Sequence, residues 1–569
     1  MTRTSPTPVR RFVGLLAGWL LLFVATPGCV LPAGSWVVAI LGLGLWGATT
    51  VRPLGERRRR ALLLEWLANS IGTASLMWWV WWVVPGGLLY IGGAMGLYVS
   101  LGGGLARRLA CRFPPGVAVA LGWFGAELGR TVLVPPLGLG WFQLGHYAHA
   151  QPLLCESARL WGIEGLTFTL ATLGGIAAEA WLRRGVPARA SSWLGGCTLA
   201  VCLLAGTWTS PPATVDGPRL LIVQPGFAQG VKQKGSRLDN HRRLVRATLD
   251  GLSAEARAAR PDVDLVCWGE TMLQVTLIGS GVEKALQEGV PFPSWWSDWF
   301  DARRIAGFRQ EEELLVRGQL LRRLPAGVSL LAGAVVIEHV EERIGWRNAV
   351  VLYDQDGVRG PVAAKRFLVP GAETMLGLEA LAWVRAASLA AIDYVPDFTA
   401  ARETGVLELA TRSGAVFRIA TTVCFDNAFL EAYTEPVAAG QVDFHLVASN
   451  EAWYRDAFEM DQMLAFSRVA AVATGRSVVR VTNSGVSAVF GPDGRELSRL
   501  VVGEADRSVE GVLAVTVPVP AVRGGDGPRT PYTVLRGPIR AVAAVLVLVL
   551  ALRSPRSPRA SRNRSGAAG

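Results

Sequence analysis

Long apolar runs separated by short arginine clusters constrain this chain more than any other feature. Such runs cover residues 12–26, 33–50, 61–84, 86–106, 116–134, 158–182 and 192–208, and one more covers 538–552. Several approach the roughly 20 apolar residues a helix needs to cross a bilayer. Seven spans, an exported domain and an eighth span form the self-consistent arrangement, because it puts every basic cluster on the cytoplasmic side. Those clusters are Arg10 and Arg11, Arg57 to Arg60, Arg107, Arg108 and Arg112, then Arg183, Arg184 and Arg189, and the tail from Arg553. The loops around Pro85 and from Pro135 to Cys155 then face outward. The tryptophans of MWWVWW fit an interfacial belt at a helix end near Pro85. Reading the first run as a cleaved segment ahead of Cys29 is the weaker choice, because Pro27 stands where a small residue is wanted.

Composition agrees with a membrane protein: 51% of residues are hydrophobic, 18% are charged, and the mean hydropathy is +0.32. The net charge of +12 is carried by clusters between apolar runs, which speaks for membrane topology and against nucleic acid. Seven cysteines, an odd number with no CxxC pair, give neither a disulfide framework nor a zinc site. His146 and His149 lack a third ligand, so no metal is expected, and no cofactor motif is visible despite 65 glycines. In the membrane half those glycines let helices pack closely.

The domain division expected from this pattern has five parts. Residues 1–208 form the N-terminal membrane domain, 209–218 (TSPPATVDGP) a linker, and 219–535 an exported domain. A C-terminal span at 538–552 and a basic tail at 553–569 follow. Within the exported domain, strand patterns end at Gln224, at Glu270 and at Cys424, and recur at 328–338, 348–357, 443–454, 477–494 and 511–519. Helical patterns cover 236–260 and 458–475. Strands alternating with a few helices indicate an α/β layered domain. Residues 276–325, which hold PFPSWWSDWF, show no clean strand period and read as an inserted lobe or lid.

Chemistry concentrates at three strand ends. The run FRIATTVCFDN alternates apolar β-branched residues up to Cys424, where the pattern gives out. Taken alone, Cys424 could be one more small buried hydrophobe. VDLVCWGE delivers Glu270, and PVAAKRFLVPGAE carries Lys365 and Glu373. A carboxylate can take a thiol proton, and an ammonium can steady the oxyanion formed when a thiolate attacks a carbonyl.

These stretches resemble the Glu–Lys–Cys set of the nitrilase superfamily, and more specifically its integral-membrane branch, the apolipoprotein N-acyltransferases. The resemblance extends through LVPGAE (368–373), SNEAWY (449–454), GRSVVRVTNSGVSAVFGPDG (475–494), TPY (530–532), LGWFQLGHYAHAQP (139–152) and GIEGLTF (162–168). It implies a multi-pass α-helical membrane domain of about eight spans plus an exported αββα sandwich in a bacterial inner membrane, facing the periplasm. It implies that Cys424 takes an acyl chain from a phospholipid as a thioester and passes it to the N-terminal amine of a diacylglyceryl-cysteine lipoprotein. Glu270 would be the base, and Lys365, with the backbone N–H of Phe425, would hold the oxyanion. Glu373 would orient Lys365, and Asp426 would support the site. Asn450, Glu451, Trp453, Tyr454, Asn483 and Ser484 are candidate cleft residues, while Gln143 and His146 are expected near lipid headgroups.

Expected partners are the phospholipid donor, the apolipoprotein acceptor and the bilayer, with a monomeric chain and no nucleic acid. The sequence departs from the family at Phe425-Asp426, where Tyr-Glu is usual, at Thr374-Met375-Leu376, and in the length of 276–325. Two alternatives remain open at this point. One is a membrane-anchored nitrilase-type amidase, favoured by a cleft open to water; the other is a catalytically silent lipid-binding relative.

Overall fold

The computed structural model describes residues 6–132, 139–297, 299–392, 394–524 and 527–552. The loop stretch 133–138 and the basic tail 553–569, both used in the topology argument, lie outside the described residues.

Helices occupy the apolar runs: Pro8–Ala25, Trp36–Thr50, Arg58–Ser75, Pro85–Leu109, Pro115–Val132, Ala158–Arg183, Arg189–Trp208 and Pro531–Leu552. Among the described residues, five of these are long and apolar enough to cross a membrane, and Trp36–Thr50 is apolar but shorter. Arg58–Ser75 and Pro115–Val132 fall below that measure because they carry ionisable residues: exposed Arg58, Arg59 and Arg60 open the first, while Glu65, Glu127 and Arg130 point inward and are paired. Glu65 takes Arg107 at 2.8 Å and Arg11 at 3.4 Å, and Arg130 lies 3.6 Å from Glu127. Buried charges survive in such a bundle only when paired in this way. Asn69 adds polar glue, accepting from the indoles of Trp19 and Trp46 at 3.0 Å each. Close helix crossings use glycine: a Cβ on Gly102 would lie 2.4 Å from the Gly122 carbonyl oxygen.

Arg11, Arg107 and Arg108 of the basic clusters lie at one end of the bundle. Arg11 donates to the Pro53 carbonyl at 2.9 Å, Arg107 to Thr50 at 3.2 Å, and Arg108 to Leu552 at the end of the last helix at 3.5 Å. At the other end, Gln462 of the sheet-containing domain donates to the Leu76 carbonyl at 3.1 Å and accepts from the Trp141 indole at 2.8 Å.

Three boundaries differ from expectation. Run 61–84 is not one span: its helix stops at Ser75, Trp78–Trp82 form a 3-10 turn, and a new helix starts at Pro85. Proline at the first turn of a helix lacks only an amide that would be unpaired anyway. The last helix starts at Pro531 rather than 538, because the arginines that lower its apparent hydropathy are paired, Arg536 with Glu431 and Arg540 with Glu164. The stretch expected to be linker already contains the start of the first strand, at Thr214.

The domain between the helices Arg189–Trp208 and Pro531–Leu552 is a two-sheet sandwich with helices outside. Its strands are β1 (Thr214–Gln224), β2 (Leu265–Trp268), β3 (Thr276–Ile278), β4 (Ser329–Val340), β5 (Arg343–Tyr353), β6 (Arg359–Ala364), β7 (Val406–Ala410), β8 (Val416–Val423), β9 (Phe444–Ser449), β10 (Ser477–Thr482), β11 (Ala488–Phe490), β12 (Glu496–Arg499) and β13 (Gly511–Pro520). One sheet runs β13-β1-β2-β4-β5-β6 with β3 beside β4, and the other runs β12-β11-β10-β9-β8-β7. Strand alternation builds both layers of core. Leu220 and Ile222 of β1 face the second sheet, whereas Leu221 and Val223 pack under Leu244 and Val245 of the helix Arg237–Arg257. The central strands β1, β2 and β4 are parallel, as are β8, β9 and β10. Clefts form beyond the carboxyl ends of such strands.

The expected lobe is smaller than 276–325: Thr276–Ile278 join the main sheet beside β4, Val316 and Leu320 pack in the core of the main domain, and the stretch between forms a small lobe. Val282, Trp296, Phe300, Ile305 and Phe308 bury against Ile337 and Ile344 of the β4–β5 hairpin. Trp295 and Trp296 both donate to Asp397 Oδ2, at 3.0 and 3.2 Å.

Candidate active site

Glu270 follows β2, Lys365 follows β6 and Cys424 follows β8, so three strand ends converge on one place. The approach is close because β4 has Gly333 there: a Cβ on it would lie 2.6 Å from the Glu270 Cα. Glu270 and Lys365 are 3.7 Å apart. Lys365 Nζ also meets Glu373, donating to Oε1 at 2.9 Å and lying 2.8 Å from Oε2. Glu373 Oε2 in turn accepts from the Val369 N–H at 2.9 Å. Burial works against the Lys365 ammonium, but the carboxylates of Glu373 and Glu270 outweigh it and hold the lysine above its usual range.

Cys424 opens a 3-10 turn with φ at +49°, in the left-handed region. A non-glycine residue held there stores strain and leaves the strand's in–out alternation. Burial pushes the thiol well above its usual value, Glu270 pushes it further, and Lys365 pulls the other way. Cys424 is therefore held as a thiol, and its ionisation at neutral pH calls for a base. Alkylation of Cys424 by iodoacetamide, followed by peptide mapping because Cys111 and Cys197 are exposed, should be slow at neutral pH and still be rising beyond ~8.5, the ordinary thiol value. A rate that levels off near neutrality would contradict the buried-thiol assignment.

Sequence reasoning missed two residues here. Asn348, an inward polar position in apolar β5, donates from Nδ2 to Glu270 Oε1 at 2.7 Å and to Glu373 Oε1 at 2.8 Å. It lets two carboxylates share one lysine. An isolated Asn at the head of NAVVLY was the available signal. Asn348→Ala should lower kcat by about ten- to hundredfold, the cost of about 1–3 kcal/mol for an unsatisfied buried group; unchanged kcat would remove its positioning role. Lys232, on the short helix Gln229–Lys234, donates to the Thr271 hydroxyl and to the Glu270 carbonyl oxygen at 3.4 Å. Burial pulls it down to about 8 against the attraction of Glu270.

Other expected site residues are placed as follows. Phe425 stacks on Trp141 with centroids 5.7 Å apart. Asp426 faces neither the oxyanion position nor a substrate space. Its carboxylate accepts from the N–H groups of Phe367 (2.6 Å), Val423 (3.0 Å) and Arg366 (3.2 Å), clasping the lysine loop to the cysteine turn. Burial raises it to about 6. Asn450 and Asn483 bond to each other at 2.8 Å and tie the 225–234 arm to the sheet ends, Asn450 through Gln229 and Asn483 through Phe227. Glu451 pairs with Arg480 inside the core, Trp453 is half-buried, and Ser484 is buried with its hydroxyl unpartnered. Gln143 and His146, expected near lipid headgroups, are buried. They line a separate small pocket with Glu164, Arg536 and Arg540.

Of those candidates Tyr454 and Phe425 line an apolar space next to the cysteine turn, and Cys424, Glu270 and Lys365 are not among its lining residues. That space is a narrow apolar groove between Phe425, Tyr454, Val369 and Pro370 of the exported domain and Trp79, Val83, Val84 and Tyr90 of the membrane half. Trp79 packs edge-on against Tyr454 at 4.9 Å. The groove thus runs from Phe425, the residue after Cys424, to the base of the helix Pro85–Leu109.

Comparison with known proteins fits this arrangement. Residues 228–524, more than half the chain, match the carbon-nitrogen hydrolase family. The chain belongs to that family. Residues 17–176 match the apolipoprotein N-acyltransferase N-terminal domain, so within the carbon-nitrogen hydrolases the chain belongs to the branch joined to that membrane domain. An apolipoprotein N-acyltransferase of Sinorhizobium medicae is 26% identical over 537 residues, covering 88% of this chain and 89% of its own. One of Ralstonia nicotianae is 27% identical over 576 residues, covering 94% and 91%. Both alignments span the membrane half and the hydrolase domain together.

Proposed function

We propose that this chain is an apolipoprotein N-acyltransferase of a bacterial inner membrane, with its catalytic domain on the periplasmic side. The carrying observation is the apolar groove between the membrane half and Phe425, the residue directly after Cys424. A cleft opening level with a bilayer suits a phospholipid donor, whereas an amidase of small polar substrates needs a cleft open to water. The gathering of the basic clusters at the end of the bundle opposite the catalytic domain supports the sidedness. We also propose eight spans, the two less apolar ones being carried by their paired interior charges.

In the first half-reaction Glu270 takes the thiol proton as Cys424 Sγ bonds to the sn-1 ester carbonyl of the phospholipid. Lys365, with the N–H of Phe425, holds the tetrahedral oxyanion. Its collapse breaks the C–O bond, and the proton on Glu270 passes to the glycerol oxygen, releasing lysophospholipid and leaving a thioester. In the second, the N-terminal amine of diacylglyceryl-cysteine attacks that thioester and gives its proton to Glu270. The C–S bond breaks and Cys424 recovers the proton. The cycle is ping-pong, the protein works as a monomer, and Asn348, Glu373 and Asp426 keep the reacting groups in place.

The test is transfer in mixed micelles from phosphatidylethanolamine to a synthetic diacylglyceryl-cysteine peptide. The expected product carries one added acyl chain as an amide. Release of free fatty acid with no acylated peptide would favour hydrolysis instead.

A further inference from the structure

The chain enters the exported domain just after Trp208 and leaves it just before Pro531. Between these two crossings lies a pocket of about 240 Å³ whose lining includes Arg159, Trp208, Ser210, Arg476 and Thr530. It shares no lining residue with the groove beside Cys424. Arg159 comes from the membrane half, in the first turn of the helix Ala158–Arg183, and is 1% exposed. Its Nη1 donates to the Thr209 carbonyl at 3.1 Å, while Nε and Nη2 are buried with no partner. Arg476 comes from the exported domain and is 3% exposed. Its Nε donates to the Val442 carbonyl at 2.8 Å and its Nη1 to Gly475 at 3.1 Å.

Carboxylates influence both guanidinium groups only from a distance, Glu156 and Asp493 for Arg159 and Asp443 for Arg476. Neither arginine forms an ion pair among the described residues. A buried guanidinium with two nitrogens unsatisfied is costly unless something supplies acceptors. Two arginines from different halves, meeting in a cavity at the membrane end of the exported domain, suit an oxyanion with several acceptor oxygens. Trp208 closes a span at this level and is 63% exposed, as expected of an interfacial tryptophan.

We infer that this pocket binds a phosphate group, carried by an anionic lipid headgroup or free in solution, and that the phosphate braces the two chain crossings against each other. The site is independent of the acyl-transfer reading. Its occupant bridges Arg159 to Arg476 and restricts rotation of the exported domain on the bundle.

The test uses the full-length protein as wild type, Arg159→Gln and Ser210→Glu. In dodecyl maltoside each is titrated with inorganic phosphate by calorimetry. In mixed micelles carrying phosphatidylglycerol or phosphatidylcholine, each is examined by native mass spectrometry for retained lipid. Preferential retention of phosphatidylglycerol by wild type, weakened about tenfold or more in both variants, identifies a headgroup site. Phosphate binding weakened to the same degree, without lipid preference, identifies a site for free phosphate. Ser210 is exposed, so Ser210→Glu places a carboxylate at the rim without disturbing buried packing. It decides the matter if Arg159→Gln does not fold, and acyl transfer by it should be unchanged. Equal binding by wild type and Ser210→Glu, or no binding of either probe by wild type, overturns the assignment.

Discussion

Replacing Cys424 with alanine should abolish acyl transfer, a fall of about 10⁵-fold or more, the scale on which removal of a covalent nucleophile acts. The reason is structural as well as chemical. Apart from the thiol, the cluster offers the carboxylates of Glu270 and Glu373 and the ammonium groups of Lys365 and Lys232, which are engaged with one another. Cys424→Ser should fail nearly as completely, because a hydroxyl at neutral pH is a far poorer nucleophile than a thiol with a base beside it. The readout is the mass of a diacylglyceryl-cysteine peptide after incubation with phospholipid. Turnover by Cys424→Ala within about tenfold of wild type would remove the cysteine from the chemistry.

Glu270→Gln should lower kcat by about 10²- to 10⁴-fold, the usual contribution of a positioned general base. The effect is large because burial and neighbouring carboxylates hold the Cys424 thiol protonated, so without a base little thiolate forms at neutral pH. A glutamine would still receive the Asn348 amide that now meets Glu270 Oε1 at 2.7 Å, and phospholipid binding in the groove, with KM, should be little changed. The defect should also shrink as pH rises, since hydroxide then ionises the thiol directly. A variant with normal kcat, or one whose defect is independent of pH, would contradict the base role.

The parts of the site legible in sequence were those that sit where a strand pattern stops. Glu270, Lys365 and Cys424 each follow an apolar run directly, and their identities suit the chemistry. Glu373 was legible only through the resemblance, yet it lies against Lys365 as that resemblance implied. What the sequence could not show is how groups far apart in the chain share partners. Asp426 stands two residues after Cys424 and is expected to support the site, but the sequence does not say through which contacts. Its oxygens are occupied by the N–H groups of Arg366 and Phe367, contacts that exist only once β6 and β8 are brought together. Asn348 was passed over because one polar residue in an apolar strand looks like an edge position until both carboxylates are seen on it. Gln143 and His146 went to a different pocket because Arg130 pulls their loop into the bundle, donating to the carbonyls of Leu139 at 2.8 Å and Trp141 at 2.6 Å. That same loop is what lays Trp141 against Phe425.

In the membrane half, hydropathy located every long helix but misjudged what interrupts and extends them. Glu65, Glu127 and Arg130 lower the apparent apolarity of two helices while satisfying each other or their neighbours inside the bundle. The aromatic run after Ser75 is apolar enough to extend a span, yet it turns back as a 3-10 segment and forms one wall of the groove. Propensity does not register that use; packing against Tyr454 does.

The most direct measurement of the central claim is the intact mass of the purified protein after incubation with phosphatidylethanolamine alone, wild type beside Cys424→Ala. The account predicts a hydroxylamine-labile gain of one fatty acyl chain on wild type, mapped to Cys424, absent from the variant and discharged by a diacylglyceryl-cysteine peptide. Acyl transfer to the peptide with no adduct at Cys424, or an adduct that persists in Cys424→Ala, would contradict it.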